Sequence, residues 1–339
     1  MEQFLGEYRL LEPLGGGGMG EVWLGENEGG RRFAVKRLPY GISIPVDQRK
    51  RFIREAQTLS SLRHPNICPI HEIGHHQGEP FIVMDIVDGI ALQRLMDYLP
   101  LLPAEVVGAT KDDLPRVVEE ISRLEQSTSP APLPEEPEEG RTLPILPPQQ
   151  IVFLLTRLCG AVHYAHRKGV FHRDIKPENV LLRHDGEPVL MDFGLAKLSD
   201  EFGAETLTQL NQFVGTIGYV APELTRPGLK VDARADVFGI GGILYYLVTG
   251  RRHFVPSNNL AEDIRRFHGF APVRPRHYDP KVNRHLETVV LTALKTDPNK
   301  RFRTPEELSL ALVRYYGEIA NHDKQHGFLD HLSGIFRRH

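Results

Sequence analysis

Over the first ninety positions apolar and polar residues alternate, the period of strands. Residues 8–14 predict a first strand, 22–25 a return strand and 32–36 a third, and 81–89 is an apolar run breaking into a turn. Between them Phe52, Ala56 and Leu59 recur at helical spacing, predicting a helix over 47–62 that ends before Pro65, since proline disfavours helix at the preceding residue. Beyond position 90 the period is helical: 91–99, then 149–168 with Leu154, Leu155, Leu158 and Val162 on one side. A helix from 232 to 247 is apolar nearly all round and belongs at the centre of its lobe. The last helix runs to about 319 and is opened by the capping box Thr304-Pro305-Glu306-Glu307, with proline at the first helical position. One hairpin interrupts the helices: Val180-Leu181-Leu182, a turn at His184-Asp185-Gly186, then Val189-Leu190-Met191.

Two stretches fit this scheme less simply. About fifty residues, 100–148, separate the helices at 91–99 and 149–168, with ten of the chain's 26 prolines. Its part from 127 to 140 is rich in proline and glutamate, a composition that cannot bury a core. Its part from 113 to 124 predicts a short helix with Val117, Ile121 and Leu124 on one face, which leaves two readings open: packed on its own lobe, or offered to a partner. At the other end, 322–339 carries Phe328, Leu329, Leu332, Ile335 and Phe336 on one face.

Composition narrows the partners. The 339 residues suit one large domain or two lobes sharing a cleft, and a net charge of −3 asks for neither nucleic acid nor an anionic membrane. Cys68 and Cys159 stand far apart with no C-x-x-C, which argues against a disulfide framework or zinc site and suits a reducing cytoplasm. The longest apolar run, 237–248, is too short to span a bilayer, though the sequence leaves open that this is the soluble part of a membrane-anchored protein.

The chemistry is concentrated in His172-Arg173-Asp174-Ile175-Lys176-Pro177-Glu178-Asn179, followed by Asp192-Phe193-Gly194. This is H-R-D-x-x-x-x-N, then D-F-G, a combination expected by chance in roughly two in a million chains of this length. Upstream lies Gly15-Gly16-Gly17-Gly18-Met19-Gly20-Glu21-Val22, in which Gly15, Gly17 and Gly20 match G-x-G-x-x-G. Without Cβ atoms, backbone N–H groups can cover a triphosphate closely. Four glycines alone also read as a flexible turn, and the strands on either side decide between the two. Ala34-Val35-Lys36 follows. On these motifs the chain resembles the eukaryotic-like (Hanks-type) serine/threonine protein kinases, its glycine loop most of all their bacterial members.

The resemblance implies an α+β fold of two lobes: a small antiparallel β lobe with one helix (8–87) and a larger, mainly helical lobe (88–317). Residues 1–7 would be a lead-in and 318–339 a tail. It implies ATP and Mg²⁺ between the lobes and transfer of the γ-phosphoryl to serine or threonine of a protein, with autophosphorylation in a transient homodimer. Asp174 would be the base, Lys176 would neutralise the phosphoryl in flight, and Asn179 and Asp192 would hold the metal. Lys36 would hold the α- and β-phosphates, steadied by Glu55; otherwise Glu55 is a solvated carboxylate paired with Arg51. Leu14, Val22, Ala34 and Leu181 would enclose the adenine, with Met84 behind it and the backbone of Asp85 and Val87 along its edge. His172 would be a packing residue and Thr216 a bridge between Asp174 and Lys176. Asp236 would accept backbone N–H bonds from the catalytic loop, and Arg301 would pair with Glu223 of Ala221-Pro222-Glu223. Arg173 asks for an anion, which Thr206 or Thr208 could supply once phosphorylated, beside Lys197 and Arg51. The usual phosphothreonine position is Gln212, a departure from the pattern. Two rivals remain: a nucleotide-binding scaffold without chemistry, and a small-molecule kinase of similar fold.

Overall fold

A computed structural model describes residues 3–17, 20–37, 57–77, 79–127, 145–193, 218–225, 231–257 and 259–323. Both expected lobes are among them. The small lobe is a six-stranded antiparallel sheet: β1 (Gln3–Leu5), β2 (Tyr8–Gly17), β3 (Gly20–Glu26), β4 (Arg32–Arg37), β5 (Ile70–His76) and β6 (Glu79–Met84), in the order β1-β2-β3-β4-β6-β5. Two strands escape the sequence reading. The lead-in forms β1, which turns back through Gly6 at φ +59° and pairs Leu5 with Tyr8. β5, Ile-His-Glu-Ile-Gly-His-His, is too polar to show as an apolar run, yet it closes the edge of the sheet beside β6.

Alternation sorts the sheet's two faces. Phe33, Val35, Phe81 and Val83 point one way, into a small cluster with Leu5, Tyr8 and Leu10. Ala34, Ile82 and Met84 point the other way and join the main core, and Lys36 pairs across from Ile82 on that same face. The lysine expected to meet phosphate is therefore set on the face turned to the large lobe by strand period alone. β2 is bulged twice, between Leu10 and Glu12 and between Pro13 and Gly15, as it approaches the glycine turn; such bulges bend and twist a strand.

Helix α1 (Leu92–Tyr98), α2 (Leu114–Ser127) and α3 (Pro148–Arg167) open the large lobe. α4 (Ala233–Thr249) runs through its middle, buried on nearly every side. It starts where the Asp232 side chain accepts the Arg234 N–H at 3.0 Å and ends at Gly250, left-handed at φ +68°. α5 (Leu260–His268), α6 (Arg284–Ala293) and α7 (Pro305–Asp323) complete the lobe. α7 runs four residues past the expected end at 319. Its capping box is also shifted: Thr304 Oγ1 accepts the Glu307 N–H at 3.2 Å, but Glu307 reaches back to the N–H of Arg303, at 2.8 Å, rather than of Thr304.

A three-stranded sheet, β7 (Gly89–Ala91), β8 (Val180–Arg183) and β9 (Pro188–Leu190), joins the hinge to the expected hairpin. Onto it packs the insertion. Leu114, Val117, Val118 and Ile121 of α2 are wholly buried, and the turn of the hairpin admits α2 only because Gly186 lacks a Cβ, which would lie 2.8 Å from Leu114. The buried Gln150 donates to the carbonyls of Val107 and Thr110 at 2.7 and 2.9 Å, tying the insertion to the start of α3. The predicted helix thus turns its apolar face to its own lobe. Residues 128–144 and 324–339 lie outside the described residues, as does the helix at 47–62 before position 57; 57–60 is helical.

Candidate active site

The catalytic loop, 172–179, is held from below by one carboxylate. Asp236, in the first turn of α4, accepts the N–H of His172 at 2.9 Å and of Arg173 at 2.7 Å, and meets His166 Nε2 of α3 at 2.7 Å. Burial alone would raise this carboxyl; the bonds and charge of His166 and the His172 contacts outweigh it and hold it below the ordinary range. The clamp offsets local strain: Arg173 has φ +66°, a conformation that costs a non-glycine residue about 1–3 kcal/mol. α4 approaches this closely because Gly239 has no Cβ, which would stand 2.7 Å from the carbonyl oxygen of Ile175. His172 is fully buried, its ring 4.7 Å from that of Phe193 and its Nε2 2.7 Å from the Met191 carbonyl.

Above the clamp the loop presents its acid. Asp174 is 5% exposed. Its Oδ2 is met by Lys176 Nζ at 3.0 Å and by Asn179 Nδ2 at 2.9 Å, while its Oδ1 is buried with no hydrogen-bond partner among the described residues. A buried, unanswered carboxylate oxygen costs about 1–3 kcal/mol and asks for a donor. Asn179 also gives Nδ2 to the Asp174 carbonyl at 2.8 Å, so its amide oxygen is the end left for a ligand. The Met191 N–H donates to the Asn179 carbonyl at 2.8 Å, which sets Asn179 and Asp192 at the base of one hairpin.

Asp192, at φ +57°, turns towards the small lobe. Lys36 Nζ, 156 positions away in sequence, lies 2.6 Å from its Oδ2, and the lysine is only 4% exposed. The two lobes therefore meet at an ion pair. Glu55, the partner expected for Lys36, lies outside the described residues, as do Gly18, Met19, Arg51, Lys197, Thr206, Thr208, Gln212 and Thr216. Arg173 Nε is buried without a hydrogen-bond partner among the described residues.

The side chains expected around the adenine fall on strands of both sheets. Ala34 and Met84 are buried neighbours on β4 and β6, Val22 is half-buried, and Leu181 lies on β8. The Asp85 N–H is spent on the Pro69 carbonyl at 3.1 Å, and its carboxylate turns to His71 Nε2 at 2.6 Å. Gly15 and Leu14 stand open, Leu14 at 49% exposure. Sequence reasoning missed Cys68, whose thiol sits 3.5 Å from the Asp85 carbonyl and is pushed up to about 12 by burial. It also missed His166; only its helical spacing from the buried face of α3 hinted at it.

Away from the cleft, the expected pair of Glu223 and Arg301 is present as a fork: 2.7 Å from Nη1 to Oε1 and 2.8 Å from Nη2 to Oε2, with the arginine side chain fully buried. Arg301 also donates to the carbonyls of Lys295, Arg234 and Thr296 and lies over the Phe238 ring.

Comparison with known proteins returns the same architecture. The protein kinase domain family matches residues 138–311, and a phosphotransferase enzyme family matches 11–201. The chain is 32% identical over 308 residues to a probable serine/threonine-protein kinase of Streptomyces coelicolor, covering 89% of this chain and 39% of that protein. It is 32% identical over 324 residues to the serine/threonine-protein kinase pkn2 of Myxococcus xanthus, covering 93% of this chain and 33% of that one. The chain therefore spans about two fifths or less of those relatives. Among solved structures, the Mycobacterium tuberculosis PknI kinase domain superposes with a TM-score of 0.64 at 26% identity, over 93% of this chain and 98% of that one.

Proposed function

This chain belongs to the protein kinase family, in its bacterial serine/threonine (Hanks-type) branch, and from that premise we propose that it transfers the γ-phosphoryl of Mg-ATP to serine or threonine hydroxyls of proteins. The observation that carries the reading is the Asp174 carboxylate: Oδ2 fixed by Lys176 and Asn179, Oδ1 buried and unanswered. Among the described residues no donor answers this oxygen, and a substrate hydroxyl would be one. Phosphoryl transfer passes through a loose transition state, so orienting the hydroxyl matters more than deprotonating it early. Asp174 does this and accepts the proton late. Lys176, 3.0 Å from it, supplies positive charge to the oxygens in flight. Lys36 gives its charge to the α- and β-phosphates, with Glu55 as its anchor, and the glycine turn covers the triphosphate from above.

Magnesium fits the donor set. Asp192 and the free amide oxygen of Asn179 are hard oxygen ligands, and among the described residues no cluster of three or more metal-binding side chains exists to hold an ion without phosphate. Asp192 and Asn179 would hold the ion, which would supply positive charge against the phosphates.

Protein rather than small-molecule substrates are favoured by the clamp between Glu223 and Arg301. Both residues lie beyond 201, where the phosphotransferase match stops, and within the protein kinase match. Autophosphorylation of Thr206 or Thr208 would give Arg173 its anion, beside Arg51 and Lys197. Thr216 would bridge Asp174 and Lys176.

Purified chain incubated with labelled ATP and a generic protein substrate should label protein, including itself at Thr206 or Thr208 by mass spectrometry. Asp174→Asn should cut transfer at least about 100-fold with nucleotide binding intact. Undiminished transfer by that variant removes Asp174 from its role; label that reaches only small molecules removes the protein substrate.

A further inference from the structure

His253 is buried to 6% exposure among the rings of Tyr219, Phe238, Tyr245 and Phe270, at centroid distances of 6.1, 5.7, 5.9 and 6.3 Å. Nothing derived so far uses it. Its Nε2 is buried without a hydrogen-bond partner among the described residues. It also makes a hydrogen bond with the Gly218 backbone that favours the protonated ring, and therefore runs from ring N–H to carbonyl. With Nε2 unpartnered, the donor is Nδ1. Gly242 of α4 gives the ring its room: a Cβ there would lie 3.0 Å from His253 and 2.8 Å from Tyr219.

Gly218 begins the described stretch 218–225, in which Tyr219, Val220 and Ala221 are buried and Glu223 is forked to Arg301. This stretch therefore has two anchors. The fork holds Glu223 through charge, and His253 holds Gly218 through one neutral hydrogen bond. Tyr219 packs on Gly242 of α4, one turn beyond Gly239, which packs on Ile175 of the catalytic loop. The loop that His253 holds thus flanks the acid that would orient the acceptor hydroxyl.

We propose that His253 is a positioning residue for the protein substrate: its Nδ1–H fixes Gly218, and through it the wall against which the residues around the acceptor hydroxyl lie. This rests on the kinase reading above and extends it to how the acceptor is held. Burial keeps the ring neutral, its pKa down at about 3, so the anchor does not loosen anywhere near neutral pH. Ala34, Lys36 and Met84, expected to hold ATP, lie on strands of the small lobe and His253 in the large one, so the effect should fall on the protein substrate.

Steady-state kinetics with a serine/threonine peptide tests this in two variants. His253→Phe fills the space without a donor; His253→Asn puts an amide N–H near Nδ1. The Phe variant should raise the peptide KM about tenfold, the size of one lost buried hydrogen bond, with the ATP KM and the slow hydrolysis of ATP by water unchanged. The Asn variant should recover most of the peptide KM. A Phe variant with a wild-type peptide KM overturns the proposal. So does a rise in ATP KM alongside peptide KM, or an Asn variant as impaired as Phe, since either means that the ring only fills the core. A wild-type chain that transfers nothing to any peptide overturns the kinase reading itself, and this one with it.

Discussion

On the large-lobe side of the cleft, the N–H groups of His172 and Arg173 both end on Asp236, and Gly239 lets α4 come within contact of the Ile175 carbonyl. On the small-lobe side, no described residue lies within 4 Å of where a Cβ of Gly15 would stand, and Leu14 is half exposed. The catalytic loop is anchored before substrate arrives; the glycine turn opposite it is open at Gly15. The contrast follows from what each must do. An acid that orients a hydroxyl works only within a few tenths of an ångström, and that needs buried anchors. A cover for phosphates needs N–H groups free of other partners.

The sharpest way to break this contrast is Asp236→Ala. It orphans two buried N–H groups and the His166 ring at about 1–3 kcal/mol each, so denaturant melts should lose about 4 kcal/mol, and transfer should fail with it. Survival with less than about 1 kcal/mol lost would mean that the loop stands unaided. Next comes Gly89→Ala at the hinge, where a Cβ would lie 2.0 Å from the Leu182 carbonyl oxygen. Forcing that contact should cost about 2 kcal/mol in thermal melts, which would put the hinge with the rigid wall.

Acid probes the clamp more gently. The Asp236 carboxyl titrates below its ordinary range in the folded chain, so its contribution is whole above about pH 4 and is lost as pH falls through the lower folded value. Asp236→Asn should therefore flatten the acid limb of stability below about pH 4 and run parallel to wild type above pH 5. An unchanged acid limb would mean that the carboxylate is not what acid attacks. The smallest effect should be Gly15→Ala: below about 0.5 kcal/mol in stability, as for an open surface site, and less than about threefold in ATP KM. A loss comparable to that at Gly89 would show that the glycine turn is packed after all.

How much of this could be read beforehand depended on whether the signal was local. The catalytic loop, the hairpin beneath it and Lys36 at the end of β4 follow from motif and strand period, and the structure brings Lys36 and Asp192 together as that reading requires. The clamp by Asp236 and the fork between Glu223 and Arg301 came from resemblance rather than from pattern, because neither partner is within sixty residues of the other. β1 and β5 were missed because a three-residue strand and a polar edge strand carry no periodic trace. His166, His253 and Gln150 were missed for a different reason. Each is a polar side chain buried by its neighbours' shape, and nothing in the order of the letters says which polar residue will be enclosed.

The insertion helix has a practical consequence for protein engineering. Leu114, Val117, Val118 and Ile121 lie at zero exposure on the helix that packs against the small sheet under the hinge, and Leu146, further on, is buried in the same core. Excising 104–140 as a dispensable tassel would strip that sheet and leave a greasy scar where the two lobes articulate. A shortened version that keeps 104–127 and Leu146 retains its lining; one that does not should precipitate before its enzymology can be measured.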